Sequence, residues 1–157
     1  MKYEITKKKK RGQRTLYRIR ALKDFGKVKA GDLGGWIEGE SNLSQEGKAW
    51  VYGDAKVSGD AVVYGNARVS EDALVSGDAK VSGDAVVFGK AKVFGDAWVY
   101  GKAKVAGNAK VTGDAWVSGD AWVSGNAWVS GNAWVYGNAR VSGNAQISGN
   151  DWVSGKE

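Results

Sequence analysis

The chain has 157 residues, among them 24 glycines and eight tryptophans, no proline, cysteine or histidine, and a formal net charge of +6. That length usually makes one domain; the missing cysteine excludes a disulfide framework and thiolate metal sites, and the missing histidine removes the usual imidazole ligand and general base. No apolar run approaches the ~20 residues needed to cross a bilayer, and none follows the charged start, so a cytoplasmic protein is expected.

The charge is unevenly placed. Residues 1–49 hold 13 Lys+Arg against 6 Asp+Glu, net +7, whereas residues 50–157 hold 10 against 11, net −1. In chain order, "KYEIT" and "TLYRIRAL" predict two strands joined by the tip "KKKKRGQR", the second alternating Tyr17, Ile19 and Ala21 against Arg18 and Arg20. Lys7, Lys8, Lys9, Lys10, Arg11, Arg14, Arg18 and Arg20 are candidates for contact with nucleic acid or an acidic partner. A solvated tip is the favoured reading, since no folded nucleic-acid motif accompanies the run.

From Val51 the chain falls into hexads, "VYGDAK", "VSGDAV", "VYGNAR" and onward, 17 complete units ending at Trp152. A repeat of this length outranks local propensity. Each unit reads as a very short strand and a corner, because Gly and Asp or Asn tolerate the positive φ of a sharp turn. Valine and alanine are then the inward pair, and the residues flanking valine point outward. One hexad cannot bury its own valine, so the units must coil and stack, and a stack of this kind needs caps. Residues 1–44 are expected to form a basic capping hairpin segment and residues 45–157 the repeat. At the far end Asp151 stands where an inward alanine belongs, followed by Lys156 and Glu157, which reads as protection against end-to-end growth.

The pattern V-x-G-[DN]-A-x resembles the hexapeptide repeat of left-handed parallel β-helices. That resemblance implies an all-β triangular solenoid with three hexads per coil, here about six coils. "LYRIRALKDFGKVKAGDLGGWIEGESNLSQEGKAWVYGDA" is similar to the opening of phage and prophage-associated hexapeptide-repeat proteins of largely unknown function.

Sorting outward positions by 18 gives three unlike faces. The first carries Val62 and Tyr64, Lys80 and Ser82, Trp98 and Tyr100, Trp116 and Ser118, Trp134 and Tyr136, Trp152 and Ser154. The second reads Trp50, Arg68, Val86, Lys104, Trp122, Arg140, an alternation suited to cation–π stacking; the third reads Lys56, Leu74, Lys92, Lys110, Trp128, Gln146, an ordinary solvated face apart from its tryptophan. The candidate interface is Tyr64, Trp98, Tyr100, Trp116, Trp134, Tyr136 and Trp152, since an uncharged patch this large exceeds what a monomer usually exposes.

The resemblance implies self-association as the simplest use of that face, as a dimer or trimer. Binding of a host protein, as a phage-encoded inhibitor or adaptor, comes second, and a carbohydrate third. The fold family includes acyltransferases and carbonic anhydrases that depend on histidine. With none here, and with aspartates explained by corners, the expectation is a protein that is not an enzyme and has no catalytic residue, metal or cofactor.

Overall fold

In the computed structural model, which describes residues 1–11 and 14–154 (for Lys10 and Arg11 the backbone only), the repeat is a parallel β-solenoid of three sheets. Lys156 and Glu157 lie outside the described residues. Each hexad contributes a strand of two or three residues, from Trp50–Val51 to Trp152–Ser154, and pairs in register with the strand 18 residues away, as in Trp98 with Trp116 and Trp116 with Trp134.

The alternation of the hexad decides what faces inward. Every hexad valine from Val51 to Val135 is fully buried, with the corner alanines beside them, and burying each contributes about 1.5–2 kcal/mol before chain entropy is subtracted. Between coils the ladder is regular: the Trp98 N–H donates to the Ala115 carbonyl at 3.0 Å, Tyr100 to Val117 at 3.0 Å, and the corner residue Asp96 to Gly113 at 2.8 Å. That corner bond explains the glycine. Gly113 sits at φ +64°, and a Cβ there would lie 2.9 Å from the Gly131 nitrogen of the next coil.

Strands β1 (Tyr3–Arg11) and β2 (Arg14–Ala21) form an antiparallel hairpin, and β2 pairs antiparallel with β3 (Leu33–Ile37). Strand β3 then pairs in parallel with Lys56–Val57, so the hairpin extends the third face into one nine-stranded sheet. The first turn of the coil is therefore built from β3, a bridge between Leu43 and Val63, and Trp50–Val51. This gives about seven turns, one more than the hexads alone supply.

The first coil has no predecessor, and side chains stand in for one. In later coils, glycine and alanine carbonyls accept N–H groups from the coil before: Gly65 from Lys48, Ala67 from Trp50. At the first coil the Lys2 ammonium donates instead to the carbonyls of Ala49 at 2.8 Å, Glu46 at 3.4 Å and Gly47 at 3.5 Å. Between the first and second coils Asn42 replaces backbone donors at one corner, its amide donating to Gly59 at 3.0 Å and Ala61 at 2.8 Å. Lys2 is 1% exposed, and burial, with the charge of Lys23 added, holds its pKa down at about 8.

Two expectations are corrected here. The lysine run is not the hairpin tip: β1 continues through it, with Lys8, Lys9 and Lys10 paired to Tyr17, Leu16 and Thr15, because extended backbone lets the strand ladder run on past the apolar residues. The pairing of β2 shifts register against both β1 and β3, and its expected alternation is not kept: Leu16, Ile19 and Ala21 are buried while Tyr17 is only half-buried. Trp50 is the second correction. Its column faces outward elsewhere, yet it is 1% exposed, because the cap lays Tyr3 and Phe25 edge-on against it at 6.1 and 5.2 Å.

Candidate functional site

The first face places Trp98, Trp116, Trp134 and Trp152 on adjacent rungs of one sheet. Their rings meet edge to face at 5.7, 5.3 and 5.3 Å, the geometry that aromatic quadrupoles favour. Each indole also leans toward the preceding coil, and the partner there alternates. Trp98 donates its N–H to the Ser82 hydroxyl at 3.4 Å and Trp134 to Ser118 at 3.0 Å, whereas Trp116 and Trp152 meet the rings of Tyr100 and Tyr136 at 6.1 and 6.4 Å. Serine and tyrosine alternate down that column of the sequence, from Tyr64 to Ser154.

Stacking leaves much of the ladder in solvent. Trp116 is 38% exposed and Trp152 65%, while Trp98 and Trp134 are half-buried. Six of the seven candidate interface residues are thus contiguous. Tyr64 is separated from them by the rung that carries Lys80 and Ser82.

Trp122 and Trp128 stand singly on the other two faces, 37% and 42% exposed, each with a cation near its ring. On the second face Lys104 and Arg140 lie 5.8 and 5.7 Å from the Trp122 ring, as the column alternation leads one to expect. On the third, Lys110 lies 5.3 Å from Trp128, whose N–H donates to Thr112 at 3.2 Å.

The basic residues of the hairpin divide by partner. Arg14 pairs with Glu38 at 2.7 Å and Arg20 with Glu4, while Arg18 reaches the Gly53 carbonyl at 3.2 Å and Asp54 at 3.4 Å. Arg18 and Lys9 also lie over the Trp36 ring, at 4.6 and 5.1 Å. Lys7 and Lys8 are exposed; the side chains of Lys10 and Arg11 lie outside the description. Four of the eight candidates, Lys9, Arg14, Arg18 and Arg20, therefore make contacts within the chain.

Sequence reasoning passed over one irregularity. "VSEDAL" carries Glu71 where every other hexad from Val51 has glycine, and Glu71 takes φ +60°, the one non-glycine at positive φ among the described residues. The break in the hexad was the available signal. Among the described residues no group of histidine, cysteine, aspartate or glutamate is placed to hold a metal ion, and no helix is long and apolar enough to cross a membrane.

Comparison with known proteins finds the repeat again. A family described as the YdcK beta solenoid repeat matches residues 63–77, 121–137 and 133–149. A protein of Escherichia coli (strain K12), named an uncharacterized acetyltransferase YdcK, is 51% identical over 37 residues, 24% of this chain and 11% of that protein. The match thus spans a small part of either chain. It supports a repeat β-helix protein, and it overturns the expectation that the chain is not an enzyme, because a protein sharing the hexads is named as one. The physical reason is plain: missing histidine removes one kind of base, not the capacity of a solenoid to carry a reaction.

Proposed function

We propose that this chain is a binding and assembly protein of the phage-associated hexapeptide-repeat type, acting in the cytoplasm, and that the Trp98 to Trp152 ladder is its contact face. The observation that carries this reading is the segregation of aromatic residues: stacking would stabilise any face, yet four adjacent tryptophans and two tyrosines share one, whereas Trp122 and Trp128 stand singly on the other faces, each beside a lysine or arginine. A flat, rigid prism also loses little freedom on binding. A second copy of the chain is the favoured partner, in a dimer or trimer, and a host protein the alternative.

Light scattering over a concentration series tests it, with the triple substitution Trp98→Ser, Trp116→Ser and Trp134→Ser alongside. The expected result is a wild-type oligomer that becomes a folded monomer in the variant. A variant that loses its cooperative melting would make the ladder a structural spine, and a wild-type monomer would remove self-association. A second reading, acetyl transfer, rests on the name of the Escherichia coli relative. Release of free thiol from an acetyl thioester donor, dependent on the protein and on an acceptor amine, is its direct assay.

A further inference from the structure

The irregular corner at Glu71 is not an isolated defect. Almost every other corner donates an N–H to the glycine carbonyl one coil on, Asp60 to Gly77 at 2.8 Å and Asp72 to Gly89 at 2.9 Å among them; the matching bond from Asp54 to Glu71 is absent among the described residues. The gap is also wider there. A Cβ on Gly53 would stand 3.8 Å from Glu71, where the corners from Gly59 to Gly131 that face a glycine leave 2.8–3.0 Å. Arg18 takes the Gly53 carbonyl at that same corner. Positive φ at a glutamate stores backbone strain, and strain of this sort collects where a site needs it.

Beside this corner the loop between β2 and β3 meets the second face, and the junction leaves a cavity of about 240 Å³ that continues into a groove of about 490 Å³. Lys27, Tyr52 and Arg68 line both parts; Phe25 and Lys48 close the first, and Glu71 lies along the second. The stem of Lys48 packs at Gly26, whose positive φ turns the loop toward it. Lys27, Lys48 and Arg68 form no ion pair or side-chain hydrogen bond among the described residues, in contrast to Arg14, Arg18 and Arg20, and Glu71 has no ion pair there either.

Three exposed cations without ion pairs among the described residues line one small cavity, an arrangement that suits an anion with more than one charge. The groove beyond it has an aromatic and apolar wall, from Tyr52 to Val86, and one carboxylate. A wholly anionic ligand would be repelled there, and one carrying hydroxyl or amino groups would find an acceptor. We propose that this groove binds a small organic phosphate of the nucleotide class, its phosphates held by Lys27, Lys48 and Arg68 and its neutral donor groups by Glu71. Burial raises the pKa of Tyr52, so its hydroxyl stays a hydrogen-bond donor across the neutral range. The combined volume matches that of small-molecule sites.

Calorimetric titration of the full chain with ATP, inorganic pyrophosphate and adenosine tests the site. The expected result is saturable 1:1 binding of ATP, weaker binding of pyrophosphate and none of adenosine. Lys27→Gln with Arg68→Gln should weaken ATP at least tenfold, whereas Lys7→Gln with Lys8→Gln in the hairpin should change it less than twofold. Glu71→Gly should weaken ATP but not pyrophosphate, while raising the melting temperature by releasing the strained corner. Lys48→Gln, a change on an exposed side chain, gives the same direction of effect should the double variant fail to fold. Absence of saturable ATP binding, or its loss in the hairpin variant with the groove variant unaffected, would overturn the proposal.

Discussion

The two ends of the prism are made from the same repeat and are finished differently. At the N-terminal end a tryptophan is buried under Tyr3 and Phe25, Lys2 takes carbonyls of the first coil, and Asn42 ties the first coil to carbonyls of the second. At the other end Ala145, Ile147 and Val153 are only half-buried, Trp152 is largely exposed, and Asp151 stands exposed in place of the inward alanine. What protects a hexad is thus its neighbour and not its own sequence. The capped end resembles the interior of a globular protein, and the last described rungs have support from one side.

The largest test of that contrast compares two tryptophans. Trp50→Ala should cost about 3–5 kcal/mol of stability, the cost of emptying a packed core site, while Trp152→Ala should cost less than about 1 kcal/mol, both read from denaturant unfolding. Equal effects would mean that the cap is not part of the cooperative unit.

Glycine gives the next contrast. Gly113→Ala meets both an unfavourable φ and the backbone of Gly131, and should cost about 2–3 kcal/mol; Gly149→Ala, at φ +62° with nothing within 4 Å of its Cβ, should cost only the conformational part, about 1 kcal/mol. Melting temperatures of the two variants would sharpen the comparison into a price per contact between coils.

The smallest effect is a pH dependence confined to the capped end. Lys2 has a folded pKa of about 8, below its ordinary 10.5, so its burial costs stability in full below pH 8 and the cost falls as pH rises toward 10.5. Unfolding free energy should therefore rise between pH 8 and 9.5, by on the order of 1 kcal/mol, and this rise should be missing in Lys2→Met. Tyr3 and Tyr52, whose burial raises their pKa values, act in the opposite sense only above pH 10.

Much of this architecture was legible because the hexad repeats one physical decision: valine in, flanking residues out, glycine at the corner. The sorting into three faces, and hence the Trp98 to Trp134 ladder, follows from counting by 18. Features set by contacts outside the repeat were not legible. Trp50 obeys the outward rule of its column and is covered by residues 25 and 47 positions earlier; the lysine run has the composition of a tip and the backbone of a strand; Lys2 is buried by carbonyls that only coiling makes available. Glu71 was visible as an exception, but a single exception carries no period from which to read its meaning.

The alternation of serine and tyrosine beneath the tryptophans sets a unit of growth. An indole that donates to serine is followed by one that rests on tyrosine, so this face repeats every 36 residues although the backbone repeats every 18. Excising residues 101–118 would set Trp134 over Tyr100 and leave its N–H without the Ser118 hydroxyl. Excising 101–136 would set Trp152 over Tyr100, the same neighbour type that it has now. The prism can therefore be shortened or lengthened without a fault on this face only by an even number of turns.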